Sequence, residues 1–543
     1  MAHPDVLRPP VPAAPAARPP RPAATTIAFA VIVVVALAYR TGLVVVDIPP
    51  ANSDEATAGL AALHIGQGRH WPVFFYGQHY MGTLHSYLAA PAVQFFGTQW
   101  WALRIPALAV YVVFLVLVFH LTKRLYTPWF AVFVAGLLAF GSDRVVKNQI
   151  IGAGGYSEIA AATAAVMLVA VVLAMRRATA KPLGYLLWGG LAGFIAWTHW
   201  LGLPYVAVSA ALLAVLTRRE LRVRAAALAA VGFLAGCAPL LWHFVFSGRN
   251  PLAVLLSVSG AEQPASWPDR IHGAVVLGLP LGSGLCAPGD CRPWQLWWGP
   301  AYLVLLGVAV LLSVHAARRA EGVRRARAAG RTALAAGGAL TLAAYLVSSS
   351  AATTPIESAR YLHYGLLSLP AVLWPAWRCA TTLVRRGSRP AAGRSGTRVL
   401  AAGGLALLVA FTANAAVASG QLVAHRDVYA RKAADERTLV AYLRDRGLHH
   451  VYSEYWTCNR LNYVTAEDVR CAVLGDDLRP GHDRYLPYRA AVGRADRVAY
   501  VLPAGGPADD RLARFADSSA HPVTVEQVAG YRVYEFAGRV DPT

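Results

Sequence analysis

Charge is what this chain has least of. Asp, Glu, Lys and Arg make up 15% of its 543 residues, whereas 56% are hydrophobic and mean hydropathy is +0.43. Soluble domains carry about a quarter charged residues, so that class is excluded and a polytopic membrane protein is left. Acid is scarcer than base, 29 Asp and Glu against 50 Lys and Arg, and the formal charge of +21 raises the question of nucleic acid. The placement of the basic residues answers it. Lys123 and Arg124, then Arg176, Arg177 and Lys181, then Arg218, Arg219, Arg222 and Arg224 fall in alternate connections between apolar runs. So do Arg318, Arg319, Arg324, Arg325, Arg327 and Arg331, then Arg385, Arg386, Arg389, Arg394 and Arg398. That is the positive-inside pattern: the partner is the lipid bilayer, and no nucleic acid is implied.

Cysteine is scarce too, at six residues. Cys286 with Cys291 and Cys458 with Cys471 fall in segments that the topology below puts outside the cytoplasm, where disulfides persist. Spacing alone leaves four free thiols open. Cys237 and Cys379, in or beside apolar runs, read as small buried hydrophobes. No clear internal repeat is present, which weighs against a transporter.

Residues 1–24, rich in Pro, Ala and Arg, lack apolar periodicity and read as a disordered cytoplasmic tail. No cleavable signal is apparent, and 26–46, long enough to cross a ~30 Å hydrocarbon core, reads as an anchor. Further spans are predicted near 101–121, 129–140, 159–175, 183–200, 203–216, 225–246, 296–316, 332–350, 362–377 and 400–419, about eleven in all. An odd number of crossings from a cytoplasmic N-terminus puts the C-terminus outside. Every strongly basic connection then lies on the cytoplasmic face of a plasma (inner) membrane. Segments 47–97, 141–158, 247–295 and 351–361 and everything after about 420 fall on the other face, where the chemistry is expected. Within 247–295, a short helix is predicted over 252–258.

The chain thus divides into the tail, a transmembrane domain over 25–420 and a C-terminal domain over 421–543. In the last of these DVYARKAADERTLVAYLRD reads as an amphipathic helix, followed by a turn at Gly447 and a strand ending near Tyr455. RVAYVLP reads as a strand, and VTVEQV and YRVYEF, joined across Ala529 and Gly530, as a hairpin. The expectation is a small extracytoplasmic α/β domain of about 120 residues. It holds no Gly-rich phosphate loop and no metal-ligand set, which leaves its role open.

Because acid is rare, its position carries weight. Asp54 and Glu55 stand side by side just after the first span, and ionisable groups at membrane depth are usually kept for function. Ser53 is placed to cap a surface-lying helix whose first turn holds both acids and whose apolar side is Ala56, Leu60 and Leu63. Plain stabilisation of the helix dipole is the alternative role for the pair. The stretch continues with His64, His70, Trp71, Tyr76, Gln78, His79, Tyr80 and His85, groups that bind sugar faces and hydroxyls. They do not read as a metal set. His79 and His85 do not share a helical face, and no Cys or paired carboxylate completes one.

An acidic pair after the first span, surface helices, about eleven spans and an outer C-terminal domain resemble the GT-C superfamily of glycosyltransferases. The similarity is greatest to the branch of protein O-mannosyltransferases and lipid A aminoarabinose transferases. It covers residues 25–420, and SDEA followed by PVFFYGQHYMG is its most specific part. The resemblance implies inverting transfer of a sugar from a polyprenyl-phosphate donor to a hydroxyl of a glycan, lipid or protein acceptor. Asp54 matches the first-loop catalytic acid, the base that takes the hydroxyl proton. The leaving phosphate then asks for an Arg, a Lys or a divalent cation.

For that cationic role Arg360, in the ESARY segment that resembles a late-loop Arg-Tyr motif, is preferred over Arg144 and Lys147. A pairing of Arg360 with Glu357 is the competing structural role. A second acid of the family matches either Asp143 or Glu158, with Glu158 preferred after the glycines of GAGGY. The substrate-binding candidates are therefore Glu55, Tyr76, Gln78, His79, Tyr80, Lys147, Tyr156, Glu158, His199, Glu357, Arg360 and Tyr361. This reading fixes no cofactor and leaves a divalent cation open as one. The other functions open to the sequence are a transporter or flippase of lipid-linked sugars and a non-catalytic cell-envelope assembly protein.

Overall fold

Each apolar run of the sequence meets a helix in the computed structural model, which describes residues 23–175, 181–218, 223–248, 250, 253, 264–385 and 395–541. The tail up to residue 22 and all but one residue of the helix expected over 252–258 lie outside these residues. In chain order the membrane part begins with α1 (Ala24–Val45), α2 (Ser53–Gly66), α3 (Leu84–Phe96), α4 (Trp100–Leu125), α5 (Pro128–Ala139) and α6 (Asp143–Ile150). It continues with α7 (Tyr156–Met175), α8 (Lys181–Thr198), α9 (Leu203–Leu216), α10 (Val223–Gly236) and α11 (Ala238–Ser247). After these come α12 (Trp298–Arg319), α13 (Gly322–Val347), a 3-10 stretch Ala359–Ser368, α14 (Leu369–Arg385) and α15 (Ser395–Ala424).

Among the described residues six helices are long and apolar enough to cross a membrane, or up to eight if each of two bent pairs is one span. The chain is a multi-pass membrane protein, and among the described residues the full-length spans number fewer than the eleven predicted. The reason is length. A crossing needs about 20 residues, and α5 has 12, α9 has 14, and the pair α10 and α11 is bent by 59° at its break. The sharpest break is the 96° turn between α5 and α6. Arg40 of α1 explains how the turn is tolerated. Fully buried, it donates to the carbonyls of Ala139 (2.9 Å) and Leu138 (3.3 Å) that α5 leaves unpaired, and to Gln149 Oε1 (3.0 Å). Its guanidinium also lies 3.8 Å from the Tyr111 ring centroid. The helix C-terminus supplies the partial negative charge that a carboxylate would otherwise bring.

Side chains of α4, α5, α7, α9, α13 and α14 fill one apolar core. Beside it, α8 and α10 meet through glycine. A Cβ on Gly189 or Gly193 would come within 2.0 or 2.1 Å of carbonyl oxygens of α10, and one on Gly232 or Gly236 within 2.1 Å of those of α8. Small residues four apart on both helices let the backbones touch, which is how helices gain van der Waals energy inside lipid. Gly193→Leu is therefore expected to cost about 1–3 kcal/mol by overpacking, read as a lowered midpoint of thermal unfolding in detergent. An unchanged midpoint would mean that the seam is loose.

α15 is followed directly by α16 (Arg426–Asp445), so one helical run of 48 residues, Arg398–Asp445, joins the apolar part to the charged C-terminal part. Gly447, at φ +63°, ends it in the left-handed turn that glycine adopts without strain. Then come β1 (His450–Glu454), α17 (Tyr455–Val464), β2 (Arg470–Leu474), α18 (Pro487–Arg494), β3 (Ala499–Pro503), α19 (Pro507–Ser518), β4 (Val523–Val528) and β5 (Tyr531–Phe536). They form a five-stranded sheet of order β2-β1-β3-β5-β4, parallel across β2, β1 and β3 and antiparallel across β3, β5 and β4. The predicted hairpin is β4 and β5. The short strand β2 is an addition to the prediction. A disulfide from Cys458 in α17 to Cys471 in β2 joins two of these elements, and Cys286 is bonded to Cys291.

The opening acidic helix is enclosed by protein. Twelve of the 14 residues of α2 are buried, packed against α3 on one side and α17 on another. Gly59 is what lets α17 approach, because a Cβ there would stand 2.5 Å from the Tyr463 ring. The cap also differs from the prediction. Asn52, not Ser53, caps α2 by accepting from the Glu55 N–H at 2.8 Å. Ser53 instead binds α17, donating to the Tyr455 carbonyl and accepting from Asn459 Nδ2, both at 2.7 Å.

Candidate active site

Adjacent residues on a helix point about 100° apart, and that angle separates the two acids of α2. Glu55 turns inward, fully buried, and its two oxygens accept from Nε and Nη2 of Arg104 on α4, at 2.7 and 2.8 Å. Arg104 also meets Asp47 at 2.9 Å. Asp54 turns toward the C-terminal domain. Its Oδ1 accepts from Tyr455 Oη at 2.7 Å and from Arg484 Nη2 at 2.9 Å, and the side chain stays 22% exposed.

That exposure opens into a cavity of about 430 Å³. Asp54, Gln78, Tyr80, Tyr156, His199, Arg360, Tyr361 and Arg484 form its polar wall, and Leu201 just before α9, Pro204 at its start, and Thr341 and Ala344 near the end of α13 carry it on between helices. The glycines of GAGGY shape this wall by fit rather than by flexibility. Gly154 and Gly155 have φ of +60° and +78°, and a Cβ would fall 2.0 Å from Met81 or 2.6 Å from Thr198. Arg360 lies with its guanidinium carbon 5.3 and 5.8 Å from the ring centroids of Tyr361 and Tyr156, and its buried Nε has no hydrogen-bond partner. His199 accepts from the Leu201 N–H through Nδ1 at 3.3 Å, which leaves the ring proton on Nε2.

Such a wall combines a carboxylate, two guanidinium groups with unused N–H donors, and hydroxyls. It suits an anionic group carried by a polar, hydroxylated molecule, with apolar space beside it. Among the described residues no group of three or more His, Cys, Asp and Glu gathers as a metal site would require.

The backbone trace is similar to the crystal structure of ArnT from Cupriavidus metallidurans in the apo state, with a TM-score of 0.55 over 95% of this chain and 98% of that one, at 15% identity. ArnT is a GT-C enzyme. This chain has the GT-C fold. The archaeal oligosaccharyltransferase AglB from Archaeoglobus fulgidus, in complex with an inhibitory peptide and a dolichol-phosphate, aligns over 94% of this chain and 74% of its own at TM-score 0.48 and 13% identity. No protein-family model matches the chain, and no curated protein does either.

Against the GT-C expectation, the structure brings Asp54, Gln78, Tyr80, Tyr156, His199, Arg360 and Tyr361 to one cavity and leaves the other candidates out of it. Glu55 is occupied by Arg104 as described. Lys147 pairs with Asp143 one helical turn away, at 3.1 Å. Glu158 is buried and accepts from its neighbour Ser157 at 2.7 Å, and neither acid proposed for the second site lines the cavity. Glu357 is exposed, and no ion pair joins it to Arg360 among the described residues. His79 stacks on His243, ring centroids 5.3 Å apart.

Tyr76 belongs to the contact that docks the C-terminal domain. Its hydroxyl meets His64 Nδ1 at 2.8 Å and His70 Nδ1 at 2.9 Å, while His64 Nε2 meets Glu467 at 2.9 Å. Burial pushes the Glu467 carboxyl up, but hydrogen bonds from His64 and Arg69 outweigh it and hold its pKa down to about 2. Tyr485 packs on Tyr76 and His64, and Tyr488 Oη donates to Glu467 at 2.9 Å. Tyr455 and Arg484 are the two site residues that sequence reasoning passed over. Arg484 stands 430 positions from Asp54 in a domain without a recognisable motif, so no spacing signal could have joined them.

Proposed function

We propose that this chain is an inverting glycosyltransferase that takes a sugar from a polyprenyl-phosphate donor on the extracytoplasmic side of the plasma (inner) membrane. The observation that supports it best is the cavity in which Asp54 faces the same space as Arg360 and Arg484 while the wall continues apolar between α9 and α13. A lipid-linked phosphate presents that combination: an anion for the guanidinium groups, a sugar for Gln78, Tyr80 and His199, and an isoprenoid chain for the apolar side.

The acceptor hydroxyl oxygen attacks the anomeric carbon and its proton passes to Asp54. The bond from that carbon to the phosphate oxygen breaks, and the electron pair leaves on the polyprenyl phosphate, so configuration inverts in one displacement. Charge grows on the phosphate as the bond lengthens, and Arg360, which keeps its charge at any physiological pH, stabilises it there.

Reconstitution into liposomes with radiolabelled polyprenyl-phosphate sugars is the test. The wild type is expected to release polyprenyl phosphate and glycosylate an acceptor. Arg360→Gln is expected to lose about 10²–10³ in kcat, the scale of one electrostatic donor removed from a developing anion. Failure of the wild type with every donor offered would discard the reading.

A further inference from the structure

We infer that Arg484, delivered by the C-terminal domain, bridges the base and the donor phosphate: one guanidinium nitrogen orients Asp54 while the other binds the phosphate that leaves. The inference rests on the transferase reading above and assigns the C-terminal domain a direct part in it.

Arg484 is only 8% exposed, and its three nitrogens have three different situations. Nε donates to Tyr455 Oη at 2.8 Å, and Nη2 donates to Asp54 Oδ1 at 2.9 Å. Nη1 is buried and has no partner. A buried donor without an acceptor is costly and native proteins rarely keep one, so such a group points to a ligand. Arg484 borders the cavity, on the wall shared with Arg360. The plane of the fork is held by its neighbours: the guanidinium carbon lies 5.2 Å from the Phe75 ring centroid and 5.4 Å from that of Tyr455. Gly77, at φ +74°, leaves room for it, because a Cβ there would stand 3.2 Å from Arg484 Cδ.

Both hydrogen bonds to Asp54 fall on Oδ1, and so Oδ2 is left for the acceptor hydroxyl. The bridge therefore fixes which oxygen is the base and, through one rigid plane, how far that oxygen stands from the phosphate. Lysine cannot do this, since its ammonium is a point charge on a flexible stem.

The experiment compares wild type, Arg484→Lys and Arg484→Gln in detergent, first for binding of a short-chain isoprenyl monophosphate by calorimetry, then for turnover. Arg484→Gln should weaken binding about tenfold and lower kcat by at least as much. Arg484→Lys should bind within about threefold of wild type yet keep the low kcat, because charge is restored and the fork is not. Thermal unfolding of each variant separates these effects from a loss of docking. Binding and kcat both unchanged in a folded Arg484→Gln variant would overturn the bridge while leaving the transferase reading intact. Full recovery of kcat in Arg484→Lys would overturn it too. A wild type that neither binds the phosphate nor turns over would take down both.

Discussion

Asp54→Asn should leave the protein folded and lower kcat by about 10²–10⁴, the range that a positioned general base contributes. The substitution is nearly isosteric, and an Asn side-chain oxygen still accepts from Tyr455 and Arg484 where Asp54 Oδ1 does now, at 2.7 and 2.9 Å. Docking of the C-terminal domain should therefore persist. What is lost is the lone pair of an ionised oxygen able to carry the acceptor proton. Donor affinity should change little, because phosphate recognition is assigned to the arginines, so the loss should appear in kcat with KM for the donor within a fewfold. Radiolabel transfer at saturating donor measures it. Turnover equal to wild type would remove Asp54 from the chemistry, whereas a parallel collapse of thermal stability would mean that the residue is chiefly a docking contact.

How much of this was readable beforehand differs by scale. Twenty apolar residues are hard to hide, so the places of the helices were legible, and so was the hairpin at Ala529 and Gly530, because period-two alternation and a turn signal coincide there. The break between α5 and α6 was not legible. It depends on Arg40, about a hundred positions away, to satisfy the carbonyls that the break exposes. The same limit applies to the cavity. Resemblance singled out Asp54, Arg360 and Tyr361, and seven of the candidates meet in one space. Tyr455 and Arg484 reach that space only through the packing of α17 and of the Arg484 to Tyr488 segment on α2 and the loop after it. That packing is written in rings and shape, Tyr463 over Gly59 and Tyr485 over Tyr76, rather than in any spacing.

The second acid shows the reverse case, a residue that invited a functional reading and has a structural occupation. Arg104 is expected to be among the most costly side chains to remove. It and Glu55 are both fully buried, with Asp47 as a third member at 2.9 Å. Arg104→Met would strand two carboxylates beside one another without a cation, and breaking a buried pair from one side costs about 3–5 kcal/mol. The variant should unfold at a much lower temperature or fail to be purified from membranes. Arg104→Met combined with Glu55→Leu removes the stranded buried acid, and similar exchanges of buried pairs for apolar groups are often neutral. Most of the lost stability should return, less the share that belongs to Asp47, which is 27% exposed and finds water. The double variant should also keep its turnover, since neither Glu55 nor Arg104 lines the cavity. A folded double variant without activity would give Glu55 a part in the chemistry after all, and a stable Arg104→Met would show that α2 is held by α3 and α17 rather than by its buried charge.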